Sequence, residues 1–333
     1  MGAPKWPPNP QPRGAAAEPW RPSTMRSLAI TFHVPAPSEA VDLTMGDGAV
    51  VVVRRYARPG AVRLYLSNGN GFAIDGYWPF WGALAEDFEL IVFDVRNHGR
   101  NPLAASGRDG HTYAQMTLDL ERVVRETARA FGPRASVGVF HSMSARTAMK
   151  HAIEIGFPWR ALILFDPPNV PPPSHPTYAA MDVFERRLAD WALGRQDRFA
   201  DASELARQYA ETRAHRTWVP GAHELMAGAV LRPSDGGFTL ACPRELEASI
   251  YLQAMTLNLW PASREYGGPV KLIAADPEAR GAPASAFANR ALAEELGYAY
   301  EAIPGTGHLL QIQKPEECRR AMLSFLADAG VQP

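Results

Sequence analysis

The sequence predicts an α/β protein: a mostly parallel eight-stranded sheet with helices on both faces and an inserted helical segment. Three observations carry this. Short apolar runs recur at 28–34, 49–57, 62–68, 89–95, 136–141, 161–166, 270–275 and 298–303. The later runs are separated by helix-length stretches such as 116–131 and 285–296. That alternation builds parallel strands joined by right-handed crossovers. Between Pro167 and Pro269 the rhythm stops and no core strand is evident.

Taken in order, residues 1–24 are rich in Pro, Ala and Gly and lack the apolar core of a secretory signal. They carry too little apolar surface to offset the entropy of ordering, so a dispensable disordered tail is expected. The fold is expected to open near Met25, with Ser27-Leu28-Ala29-Ile30-Thr31-Phe32 as its first strand. Translation from Met1 or from Met25 is left open. The early runs are joined by short turns and should form an antiparallel edge. Residues 25–167 and 263–333 are expected to be the two parts of one core.

Residues 168–262 are expected to form a helical lid. Amphipathic patterns at 178–194, 202–216, 221–231 and 244–258 are separated by Pro and Gly. Phe184, Trp191, Tyr209, Trp218, Met226, Tyr251 and Trp260 supply its apolar side. Most should pack the lid on the core and the rest should line a pocket. Trp78, His141, Trp218 and Trp260 are the candidate substrate-binding residues. Their aromatic character, with no concentrated basic cluster, predicts a small, largely apolar substrate.

Composition narrows the function. The formal net charge is −1 with the signs interspersed, which argues against nucleic acid. No apolar run approaches the roughly 18 residues that span a bilayer. Cys242 and Cys318 are the only cysteines and lie far apart, so a disulfide framework is not expected and a cytoplasmic setting fits. No zinc-type Cys/His spacing is present, and neither metal nor cofactor is expected. The expected partner is a small-molecule substrate; a homodimer is left open.

The chemistry enters at Ser136-Val137-Gly138-Val139-Phe140-His141-Ser142-Met143-Ser144-Ala145. The apolar run before Ser142 reads as a central strand and the residues after it as a helix. A serine on such a turn stands out from the backbone at the top of the sheet, beside the positive end of a helix. That is the position of an acyl-transfer nucleophile. A serine hydroxyl needs an imidazole to take its proton. His308, in Gly305-Thr306-Gly307-His308 after the last strand, is the candidate base. A helix opening at Pro315-Glu316-Glu317 follows it.

These residues, in this order, resemble the α/β-hydrolase superfamily from about residue 28 onward. Phe140-His141-Ser142-Met143-Ser144 resembles its Gly-x-Ser-x-Gly elbow and departs at both glycines. Phe93-Asp94-Val95-Arg96-Asn97-His98-Gly99-Arg100 resembles the turn after the fourth strand. Ser67-Asn68-Gly69-Asn70-Gly71 resembles the oxyanion loop, with Asn68 in place of the usual His. The resemblance implies an oxyanion hole from the backbone N–H groups of Asn70 and Met143. It implies a serine hydrolase cleaving a carboxylic ester or lactone through an acyl-enzyme. Cofactor-free oxygenases, perhydrolases and carbon–carbon bond hydrolases share the serine–histidine set and stay open. So does a binding protein with little turnover. Asp94 and Arg96 are read as tying down their loop, and His98 and His141 as orienting loops near the site.

The third member of a triad has three candidates. The family's usual place for the acid, after the seventh strand, falls on Glu278 in Ile273-Ala274-Ala275-Asp276-Pro277-Glu278. The fold's alternative place, at the end of the sixth strand, falls on Asp166. Glu278 is put ahead of Asp166, with Asp276 third as a turn residue.

Overall fold

The computed structural model describes residues 31–332. The tail expected over residues 1–24 lies outside them. The main sheet contains β1 (Glu39–Thr44), β2 (Val50–Tyr56), β3 (Arg63–Ser67), β4 (Glu89–Phe93), β5 (Ser136–His141) and β6 (Ala161–Phe165). The insertion carries β7 (Arg198–Phe199), β8 (Leu231–Ser234) and β9 (Gly237–Leu240). The main sheet then resumes with β10 (Val270–Ala275) and β11 (Ala299–Ile303). Its order is β1-β2-β4-β3-β5-β6-β10-β11. The β1–β2 and β2–β4 pairs are antiparallel; all others are parallel.

Seven of the eight anticipated core strands fall within two residues of their place, and the first does not. Residues 31–34 form no strand, and 28–30 lie outside the described residues. The edge strand is instead Glu39–Thr44, paired with β2 from Glu39↔Arg55 to Thr44↔Val50. Its residues are exposed or half-buried, so its apolar signal is only Val41 and Leu43 among acids and Thr. An edge strand needs no more than that.

Period-2 alternation divides the buried strands between two cores. Leu64, Leu66, Val137, Val139, Ile163 and Phe165 face α1 (Trp78–Trp81) and the C-terminal α9 (Leu310–Gln313) and α10 (Pro315–Asp328). Tyr65, Phe140, Leu162 and Leu164 face α2 (Tyr113–Phe131), α3 (Met143–Glu154) and α8 (Ala284–Leu296). At about 25 cal/mol per Å² of apolar surface, two such layers dominate the stabilisation.

The insertion contains α4 (Tyr178–Gly194), α5 (Ala202–Glu211), α6 (Ala222–Val230) and α7 (Arg244–Ala254). These match the four amphipathic patterns at their starts to within a residue, but α5 stops at Glu211, where residues 212–217 turn, and α7 stops at Ala254, four residues short of the pattern's end. The insertion also holds a three-stranded sheet, β7-β9-β8, that was not anticipated. Ser234↔Gly237 pairing leaves Asp235-Gly236 as a two-residue hairpin turn, with Gly236 at φ 77°. Among the described residues no helix is long and apolar enough to cross a membrane.

Candidate active site

Register places the site. His141 is level with Phe165, and Phe165 with Ile273, so β5 and β6 end together while β10 runs two residues further, to Ala275. Ser142 and Asp166 are the residues that follow two of those ends. Both take positive φ, 53° and 40°. Such geometry is strained for non-glycine residues and holds only where the surroundings enforce it. Here the Ser142 N–H donates to the Phe165 carbonyl at 2.9 Å, and the Asp166 N–H to that of Ile273 at 2.9 Å.

The two departures from the family's elbow have local causes. Phe140 packs edge-on to Trp159 and Phe93. Room for its ring comes from Gly138, where a Cβ would stand 2.7 Å from it. Ser144 Oγ accepts from the His141 N–H at 3.0 Å and lies 3.1 Å from the Ser67 carbonyl, joining the elbow to β3.

His308 reaches Ser142 from the loop after β11. Its Nδ1 is 2.6 Å from Asp166 Oδ2 and its Nε2 is 2.9 Å from Ser142 Oγ. An ionised carboxylate only accepts, so the Nδ1–H donates to Asp166. Nε2 is then bare and accepts from the Ser142 hydroxyl. Asp166 is fully buried and also accepts from Ser285 Oγ at 2.8 Å, Asn289 Nδ2 at 2.9 Å and the Ala275 N–H at 3.1 Å. Burial alone would raise its carboxyl; the hydrogen bonds, that of His308 foremost, outweigh it and leave the group below the ordinary range.

The order of the three acids is therefore corrected. Glu278 points to solvent and pairs with Arg290 at 2.7 Å. Asp276 accepts from the N–H groups of Gly305 and Glu278 at 2.7 and 2.8 Å, which makes it a brace between loops. Neither touches His308.

The loop at 68–71 lies against the elbow. A Cβ on Gly69 would stand 2.8 Å from His141 Nδ1 and 3.2 Å from Ser142 Cβ, so a larger residue would force the His141 ring to shift. Asn68 donates to the Gly69 and Phe72 carbonyls and accepts from the Val95 N–H. It thereby ties the loop to the end of β4. The backbone N–H groups of Asn70 and Met143 have no acceptor among the described residues, and both residues line the cavity over Ser142. The Asn70 side chain donates to the Glu247 carbonyl at 2.8 Å.

His141 links the parts. The Gly69 N–H donates to Tyr77 Oη at 3.3 Å, and Tyr77 Oη–H donates to His141 Nδ1 at 2.8 Å. The His141 Nε2–H then donates to the His308 carbonyl at 2.9 Å. Burial pushes its imidazole down to about 3, which keeps it neutral. His98 likewise spans two loops, donating to the Arg96 carbonyl and accepting from the Gly71 N–H. Arg96 is held by Asp119 and Asp47, and Asp94 accepts from the Ile74 and Arg100 N–H groups.

A cavity of about 880 Å³ opens above Ser142. Phe72, Phe184, Leu188, Trp191, Ile250 and Tyr251 form its apolar wall. The four anticipated substrate-binding residues do not line it. His141 lies beneath the site, and Trp78 stacks edge-on to Trp81 at 4.5 Å. Trp218 stands behind Phe72 and His215, and Trp260 packs near His175. Part of the wall is aromatic, as the composition suggested, but which rings face the cavity depends on how the chain between elements turns: Trp218 and Trp260 both lie in loops.

His98, His111 and Cys242 bring potential metal-binding atoms within 4.8 Å of one another, although they are far apart in sequence. Both ring nitrogens of His98 are already hydrogen-bonded and the Cys242 thiol donates to the Pro243 carbonyl, which leaves His111 Nε2 as the one unpartnered atom of the three residues, too few for a structural site.

Residues 64–321 match the model of the alpha/beta hydrolase family. No curated protein matches the chain. Among solved structures, E-2-(acetamidomethylene)succinate hydrolase is similar with TM-score 0.69 and 21% identity, over 87% of this chain and 100% of that one. The thioesterase domain from the curacin biosynthetic pathway is similar with TM-score 0.62 and 18% identity, over 86% and 98%. An esterase from Thermogutta terrifontis gives TM-score 0.62 and 18% identity, over 88% and 99%. At such identities the likeness is one of fold.

Proposed function

The chain belongs to the alpha/beta hydrolase family, and from its site we propose that it is a serine hydrolase that cleaves a carboxylic ester or lactone through an acyl-enzyme. The observation that carries this is the continuous chain Ser142 Oγ, His308, Asp166, with links of 2.9 and 2.6 Å at the floor of a large cavity.

Each residue has one task in this reading. His308 Nε2 takes the Ser142 proton as Oγ attacks the carbonyl carbon. Asp166 fixes the tautomer and stabilises the imidazolium. The oxyanion accepts from the Asn70 and Met143 N–H groups; one such donor is worth about 2.7–4 kcal/mol in related chemistry. His308 then gives its proton to the leaving oxygen, and a water repeats the sequence to free the acid and regenerate Ser142. Gly69, Tyr77 and His141 hold the oxyanion loop and the histidine loop in step. A cytoplasmic setting belongs to the same reading, because Cys242 and Cys318 are buried and unpaired.

The test is hydrolysis of a short-chain 4-nitrophenyl ester together with fluorophosphonate labelling. Turnover should vanish in Ser142→Ala, and the label should map to Ser142. A label on Ser144, or tight ligand binding with no turnover, refutes the proposal.

A further inference from the structure

The cavity wall carries charge of one sign. Arg213 and Arg216 line it from the turn after α5, and Arg280 lines it from the loop after β10. No Asp or Glu lines it. Arg146 lies deeper but is neutralised by Glu185 and donates to Tyr113 Oη. The other three have no ion-pair partner among the described residues. The nearby acid Glu278 is taken by Arg290, and Asp276 by backbone N–H groups. Arg213 Nη2 donates to the Arg280 carbonyl at 3.2 Å, which draws the two sides of the rim together and leaves its other donors free.

Between the two arginines of the turn sits His215. It lines the cavity, is only 6% exposed, and its Nδ1 is buried with no hydrogen-bond partner among the described residues. The rings of Phe72, Tyr209 and Trp218 hold it at centroid distances of 6.0, 5.2 and 4.7 Å. A buried ring nitrogen left without a partner costs stability. Beside unpaired guanidinium groups, it forms a surface that lacks only acceptors. Guanidinium is the donor best matched to carboxylate and phosphate oxygens.

We infer that the turn at 212–217, with Arg280 facing it, binds a negatively charged group, carboxylate or phosphate, on the substrate that Ser142 attacks. This rests on the acyl-hydrolase reading and names its substrate class. It adds a charged end to the small, largely apolar substrate expected from the sequence: Phe184, Leu188, Trp191 and Tyr251 receive the substrate's body, and the arginines its charged end. The sequence does not announce this turn, because its arginines are two, not a cluster, and the third lies in a loop far along the chain.

The test compares two 4-nitrophenyl esters of equal chain length on the full chain, the neutral hexanoate and the anionic adipate monoester. The adipate ester should have the higher kcat/KM by about tenfold, chiefly through KM, and the advantage should shrink as salt rises. Arg213→Gln/Arg216→Gln and Arg280→Gln should each lower the adipate-to-hexanoate ratio severalfold. Arg290→Gln removes the same charge outside the cavity and should leave the ratio alone. Adipate and hexyl phosphate are then tried as competitors of hexanoate hydrolysis. Inhibition by either supports the inference, and the stronger one identifies the anion. A ratio near one, a ratio the cavity arginines do not affect, or competition by neither anion overturns it. In those cases hexanoate turnover leaves the acyl-hydrolase reading standing. Turnover of neither ester, with no adduct at Ser142, overturns both.

Discussion

Two loops leave the same end of the neighbouring strands β6 and β10, and each carries a carboxylate that the sequence offers as a partner for His308. In the loop after β6, Asp166 is fully buried and accepts from the His308 ring, two further side chains and a backbone N–H. In the loop after β10, Glu278 is exposed and meets only Arg290. The difference teaches that holding an imidazole takes more than a carboxylate near the end of a strand. A buried charge is costly unless its lone pairs are filled. Ser285 and Asn289, both on α8, fill those of Asp166. The contacts that hold Asp166 thus also fix where the His308 ring can sit.

The largest expected effect breaks this arrangement directly. Asp166→Asn should remain folded, since an amide oxygen can still accept from Asn289 or Ala275, but His308 loses the acceptor that sets its tautomer. Turnover of a nitrophenyl ester should fall by about 10⁴, the scale known for this change in a serine protease. Circular dichroism checks the fold. A folded variant within tenfold of the parent would remove Asp166 from the mechanism.

The same contrast between buried and solvated groups governs acid stability. His141 is held down at about 3, and His98 and His215 at about 4, in each case chiefly by burial. Their values in the folded chain lie below the ordinary 6.5, so their contribution is complete above that value. It is lost as pH falls toward 4, because the unfolded chain takes up the protons first. Each can contribute a loss of about 2 kcal/mol between pH 7 and pH 5. Denaturant midpoints measured at pH 7, 6 and 5 should fall steadily. A flat profile over that range would mean that these rings are not buried neutral in solution.

The two loops also show what the sequence could convey. That Ser142 and His308 meet was legible because a strand-to-helix turn and a loop after the last strand are local patterns, each read within a dozen residues. The central strands were legible because each is a continuous apolar run. Which carboxylate meets His308 was not, because Ser285 and Asn289 stand more than a hundred residues from Asp166 and only the closed sheet brings them together. The edge strand Glu39–Thr44 was missed because half-exposed residues leave little apolar signal. The β8–β9 hairpin did carry a signal: Asp235-Gly236 is a strong hairpin-turn pair, overlooked beside the helical patterns of the insertion.

A smaller effect sharpens the account of the buried acid. Ser285→Ala removes one donor from Asp166 while His308 keeps its own. A hydrogen bond to a charged group is worth about 1.5–3 kcal/mol, so stability should fall by about 1.5 kcal/mol. Turnover should fall by about fivefold, since the carboxylate is less firmly held but still present. Losses as large as those of Asp166→Asn would mean that Ser285 acts on substrate and not on the acid.

The smallest expected effect is the most informative about the other loop. Glu278→Gln deletes a charge at the position where the family most often carries its acid. In this chain that side chain is 79% exposed and its partner Arg290 is itself solvated. Exposed ion pairs of this kind are commonly worth about 0–1 kcal/mol. The variant should therefore keep turnover within about twofold of the parent and should barely change the melting temperature. Asp276, two residues earlier, is a brace between the β10 and β11 loops, so Asp276→Asn should cost more stability than Glu278→Gln without abolishing turnover. If Glu278→Gln is folded but inactive, the loop after β10 must close on His308 during the reaction, and Asp166 would be a support for the β6 turn and not the partner of the base.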